Sequence, residues 1–118
     1  MKDLKTDDLE IRIEKKDTKY YMSWFGEIII PNPGAILNKY FDEIMEEFQG
    51  HELIVDFSKF DYMNTSTVVP IIRLINELDK REIKTLIEFD RNKNWQLISF
   101  KALMELSKTM KCITIKSK

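Results

Sequence analysis

Three hydroxyls and a carboxamide occupy four consecutive positions at Asn64-Thr65-Ser66-Thr67, the densest group of chemically versatile side chains in the sequence. Beside a general base such hydroxyls become nucleophiles; without one they cap helices or accept a phosphoryl group from a kinase. No base is in view. His51 is the only histidine, stands beside an expected strand start and has no adjacent Ser, Cys or Asp motif, so a structural or surface role is expected for it. Asp42, Glu43, Glu46 and Glu47 lie opposite the apolar stripe of a helix, as a solvated face does. The glycines at 26, 34 and 50 are too dispersed to cradle a nucleotide. Cys112, the only cysteine, excludes an intrachain disulfide and the paired-thiolate metal spacings. Trp24 and Trp95 fit core or partly buried packing, with an interface contribution from Trp95 left open. No catalytic residue, metal or cofactor is expected, and the sequence reads as a binding protein rather than an enzyme.

The hydroxyl run itself has two readings. As a helix cap, its oxygens would accept hydrogen bonds from the NH groups that open the next helix. As a modification site, it would receive about −1.5 to −2 of charge with each phosphate. A helix start tolerates that charge, because its NH groups and dipole point outward. A partner docked over the same loop would have to desolvate the dianion, so binding could reverse without unfolding.

The elements that must position the run follow from hydrophobic spacing. Leu9, Ile11 and Ile13 alternate with Glu10, Arg12 and Glu14, the period of a strand with one wet face. Residues 15–19 make a turn, and residues 20–30, rich in aromatic and β-branched side chains, return as the second strand of a hairpin. Pro31-Asn32-Pro33-Gly34 ends it. Leu37, Phe41, Ile44 and Phe48 mark an amphipathic helix that stops near Gly50. Leu53-Ile54-Val55-Asp56-Phe57 has no polar face and reads as a central parallel strand covered on both sides, with residues 58–63 leading from it into the hydroxyl run at the sheet rim. Val68, Ile71, Ile72, Ile75 and Leu78 mark the second helix, in which Pro70 is comfortable if Thr67 is the cap. Residues 83–89 form another strand. Asn92 to Asn94 can cap a third helix with a stripe of Phe100, Leu103, Leu106 and Met110, and Ile113 and Ile115 close the sheet.

Strands alternating with helices call for a largely parallel sheet with one antiparallel edge. The 118 residues suffice for one core, with residues 1–8 expected to be flexible. Net charge is −1, and Lys and Arg alternate with Asp and Glu instead of gathering on one face, which argues against nucleic acid as a partner. No segment approaches the roughly 20 apolar residues of a membrane span, and the charged start lacks a signal peptide's apolar stretch. With a single cysteine, a cytoplasmic location is expected.

Together these residues resemble the STAS family, the fold shared by anti-sigma-factor antagonists and the cytoplasmic tails of sulphate transporters. Phe25-Gly26-Glu27-Ile28 is similar to the family's glycine-containing end of the second strand, and Leu53-Ile54-Val55-Asp56-Phe57-Ser58 to its hydrophobic strand ending in Asp. Asp61-Tyr62-Met63-Asn64-Thr65-Ser66-Thr67 falls where the family has a hydrophobic residue followed by Asp-Ser-Ser-Gly. The similarity spans nearly the whole chain and implies a single α/β STAS-like domain over residues 1–118, a mixed, mostly parallel sheet with an N-terminal antiparallel hairpin and three or so helices.

The resemblance also implies roles. Asn64 stands for the motif Asp and Thr67 for its Gly; Thr65 matches the phosphorylated position, Ser66 is the second candidate, and Asn64, Thr65, Ser66 and Thr67 together would meet the partner. The family's mechanism is partner switching in bacteria: the unmodified domain, as monomer or weak dimer, binds a regulatory Ser/Thr protein kinase or anti-sigma factor, phosphorylation releases it, and a PP2C-type phosphatase resets it. Ile28 and Ile29 stand where an acidic residue often follows the Gly-Glu pair. Asn-Thr-Ser is closer to a variant group of STAS-like regulators with a phosphorylated threonine that control diguanylate cyclases. The alternatives to the antagonist role are therefore a regulator of a diguanylate cyclase pathway, or a non-phosphorylated structural subunit of a sensory assembly.

Overall fold

The computed structural model describes residues 2–118, which order as β1 (Leu4–Lys5), β2 (Leu9–Lys16), β3 (Lys19–Ile28), α1 (Pro33–Phe48), β4 (Glu52–Asp56), β5 (Phe60–Met63), a 3-10 turn (Thr65–Thr67), α2 (Val68–Lys80), β6 (Thr85–Phe89), α3 (Asn94–Ser107) and β7 (Ile113–Ser117). The expected hairpin is β2–β3, closed by Asp17 and Thr18, with Asp17 at φ 58° in the left-handed region that Asp tolerates better than most residues. Within the 1–8 segment, Leu4 pairs with Ile11 and Lys5 with Glu10, and the Tyr40 hydroxyl donates to the Lys2 carbonyl at 2.8 Å.

Strand order explains where the helices lie. From β3 the sheet proceeds through β4, β6 and β7, all parallel, and never reverses direction. Parallel crossovers are right-handed almost without exception, so three crossovers stepping the same way place α1, α2 and α3 on one face. Burial along the strands agrees. Ile11, Trp24, Val55, Ile87 and Ile115 are buried, whereas Arg12, Phe25, Ile54, Leu86 and Lys116, one position away in each strand, are only partly buried or exposed. The expectation that Leu53-Ile54-Val55-Asp56-Phe57 is covered on both sides is thereby corrected: Ile54 sits between Tyr21 and Leu86 on the open face.

Under the helices the core is aromatic. The Trp24 ring lies 4.9 Å from Phe57, 5.4 Å from Phe60 and 6.1 Å from Phe41, and Phe57 in turn lies 4.8 Å from Phe100, so one cluster ties the sheet to α1 and α3. α1 starts at Pro33, whose fixed φ and missing NH suit a first turn, and buries the expected Leu37, Phe41, Ile44 and Phe48. α3 departs from expectation at both ends. Lys93 occupies its cap position with no side-chain cap, so Asn92 and Asn94 do not serve. Its buried face is Gln96, Phe100, Leu103 and Ser107, with Met110 beyond the helix end. Among the described residues no helix is long and apolar enough to cross a membrane.

Residues 58–63 hold a strand that spacing did not disclose. β3 serves two partners in tandem: Lys19 through Ser23 pair with β4, and Gly26 through Ile28 pair with β5, both in parallel. The register shifts between Gly26 and Glu27, and Gly26 takes φ 83°. A Cβ there would lie 2.0 Å from the Asp8 carbonyl oxygen, so only glycine lets the β2 entry approach this closely.

Candidate functional site

β5 delivers the hydroxyl run to the rim of the sheet, and two carboxamides hold β5 in place. At its start, Gln96 of α3 is fully buried; its Nε2 donates to the carbonyls of Phe57 at 2.6 Å and Phe60 at 2.8 Å, while its Oε1 accepts from the Asp90 NH at 2.8 Å. Lys93 Nζ adds a bond to the Phe60 carbonyl at 3.2 Å. These side chains supply donors at the point where the chain turns between β4 and β5 and leaves the sheet ladder. Trp95 packs over the same turn, 5.7 Å from Phe60 and 6.2 Å from Tyr62.

At the other end, Asn64 joins three segments. Its backbone NH donates to the Ile28 carbonyl at 3.0 Å and its Nδ2 to the Ile30 carbonyl at 2.8 Å, while its Oδ1 accepts from the Thr67 hydroxyl at 2.8 Å. The amide is therefore used on both sides at once. A carboxylate could accept from Thr67 but could not donate to Ile30, which gives a physical reason for Asn where the resembling motif has Asp.

The four predicted residues separate by accessibility. Thr65 and Ser66 are exposed on the 3-10 turn and Asn64 is partly buried, but Thr67 is fully buried. The expectation that Thr67 meets a partner is corrected: it is the first residue of the buried stripe of α2, which continues through Pro70, Ile71 and Leu74. That signal was present in the sequence, because stepping back three and four positions from Pro70 and Ile71 lands on Thr67. The helix-cap reading is corrected as well. Thr67 stands at the cap position of α2, as Pro70 requires, yet neither it nor Asn64 gives a side-chain bond to the NH groups that open the turn or the helix.

The surface around the two free hydroxyls is apolar. Ile29 and Ile30, expected inside the second strand, lie past the end of β3 at 55% and 39% exposure; Tyr62 and Val69 add 45% and 71%. Ser66 borders a depression with Pro31, Asn32, Pro33 and Val69, between the starts of α1 and α2. The remaining predicted residues stand apart. Asp56, the strand-ending Asp, is raised by burial but held below the ordinary carboxyl value by Ser58 and by Lys118, whose Nζ lies 2.9 Å away. His51 packs edge-on at 5.1 Å from Tyr20, with Nδ1 3.1 Å from the Gln49 carbonyl. The α1 carboxylates are solvated, Asp42 pairing with Arg73 and Glu43 with Lys2.

No family model matches the sequence, and no curated protein matches it significantly. Solved structures do. An anti-sigma factor antagonist from Mycobacterium paratuberculosis superposes with a TM-score of 0.63 at 17% identity, over 91% of this chain and 86% of that one. The STAS domain of an antisigma-factor antagonist from Rhodobacter sphaeroides gives 0.52 at 10% identity, over 69% and 86%. A DUF3478 family protein with a SpoIIAA-like fold, from Shewanella loihica PV-4, gives 0.55 at 11% identity, over 98% and 90%. At these identities the likeness concerns architecture: an antiparallel opening, then parallel strands with the helices on one face, make this chain a carrier of the STAS fold.

Proposed function

We propose that this chain is a regulatory binding protein whose choice of partner is controlled by phosphorylation of Thr65, in the manner of an anti-sigma-factor antagonist. A Ser/Thr protein kinase or anti-sigma factor binds the unmodified form, and a PP2C-type phosphatase restores it. One contrast carries the proposal: within four residues, two hydroxyls are exposed while Asn64 and Thr67 fix the backbone beneath them. A modifying enzyme needs the first property, and a fold that survives modification needs the second.

Phosphate on Thr65 adds about −1.5 to −2 of charge where the first NH groups of a helical segment point to solvent. The effect falls on binding, because Ile29, Ile30, Tyr62 and Val69 form an apolar surround that a partner would cover. Burying a dianion there without compensating donors costs several kcal/mol, of which about 2.7 kcal/mol already means a hundredfold change in affinity. Ser66 is the second acceptor, facing the depression beside α1. Asn64 acts from below, by holding the loop.

Phosphopeptide mapping of the protein isolated from its native cells tests the proposal. Phosphate is expected on Thr65, lost in Thr65→Ala and kept in Ser66→Ala. Absence of phosphate from both residues, in cells where the circuit is active, overturns it.

A further inference from the structure

Beside the hydroxyl turn, on the far side of Ile30, lies a narrow groove walled by Leu9, Ile28, Ile29, Ile30, Ile36 and Leu37. Its upper edge is exposed aliphatic surface, with Ile29 at 55% and Ile36 at 38%. Its opposite edge carries Asp8 and Glu27, brought together where the Glu27 NH donates to the Asp8 carbonyl at 2.9 Å. Among the described residues neither carboxylate has a Lys or Arg within ion-pair distance. An apolar slot with two uncompensated carboxylates at its lip complements one kind of surface: an aliphatic side chain flanked by Lys or Arg.

We infer that this groove receives such a side chain from the partner, as an anchor separate from the phosphorylated turn. The inference rests on the function proposed above and specifies the chemistry of its partner. The two contacts differ in physics. At the groove lip, opposite charges steer the partner and fix its register, an effect that weakens with salt. At Thr65 the modification acts through desolvation in an apolar surround, which salt screens little. Asn64 links them mechanically, since its Nδ2 holds the Ile30 carbonyl and its NH the Ile28 carbonyl.

Site-specific photo-crosslinking in native cells tests the anchor, with p-benzoylphenylalanine at position 36 in one strain and at position 66 in another. Adducts from both positions to one protein are expected, and the peptide joined to position 36 should contain aliphatic residues beside Lys or Arg. With that protein purified, Ile36→Lys should weaken binding roughly tenfold or more. The Asp8→Asn, Glu27→Gln double variant should weaken it severalfold at low salt and little at high salt, while the effect of Thr65 phosphorylation persists at both. An adduct from position 66 alone, or an acidic peptide at position 36, overturns the groove assignment and leaves the phosphorylation proposal standing. Adducts from neither position overturn both.

Discussion

Gln96 and Asn64 bracket β5 with the same functional group, and each uses it in the same way, donating to backbone carbonyls with the amide nitrogen and accepting with the amide oxygen. Their surroundings differ. Gln96 is sealed in the interior with three backbone partners, whereas Asn64 is partly open to solvent and reaches one carbonyl and one hydroxyl. In the interior a lost partner cannot be replaced by water, so the Gln96 clamp belongs to the architecture. At the rim water can substitute, so the Asn64 clamp sets the conformation of a surface.

The sharpest way to break this distinction is Gln96→Leu. It leaves the Asp90 NH without its acceptor and removes the buried amide donor from the Phe57 and Phe60 carbonyls, which keep only the Phe60 NH and Lys93 Nζ, and a loss of about 2–3 kcal/mol is expected in denaturant unfolding. A loss under about 1 kcal/mol would place both amides in the same class. Next comes Asn64→Asp, which replaces the donor facing the Ile30 carbonyl by an oxygen. The expected loss is about 1–2 kcal/mol, accompanied by displaced amide resonances at Ile29 and Ile30 and unchanged ones around Gln96. Unmoved resonances at Ile29 and Ile30 would show that the clamp does not shape the rim. The smallest effect belongs to Thr65→Ala, within about 0.5 kcal/mol, because an exposed hydroxyl that caps nothing contributes little. A larger loss would make Thr65 part of the clamp.

Spacing disclosed the elements that repeat a period over several turns or pleats: the β2–β3 hairpin, α1, α2 and the later parallel strands. β5 escaped because Phe60-Asp61-Tyr62-Met63 buries only its two ends and pairs with a stretch of β3 more than thirty positions away. The open face escaped for a related reason. Ile54 is apolar, and a run of apolar residues looks the same whether one or both sides of the strand are covered; only the unreversed strand order decides. Gln96 was invisible because a polar residue in an expected helix reads as solvated, and its partners at Phe57 and Phe60 come together only in the fold. At the hydroxyl run, residue type identified the place. Helical phase, had it been extended back from Pro70 and Ile71, would have told Thr67 apart from Thr65 and Ser66.

Gly26 makes the geometry of this rim all-or-none under mutation. Every single-nucleotide change of a glycine codon that alters the residue introduces a β-carbon, and here that atom would land against the Asp8 carbonyl. The position has no neutral neighbours in sequence space, so β3 cannot drift gradually between its two partner strands, and the register that carries Met63 beside Ile28 is inherited intact or lost.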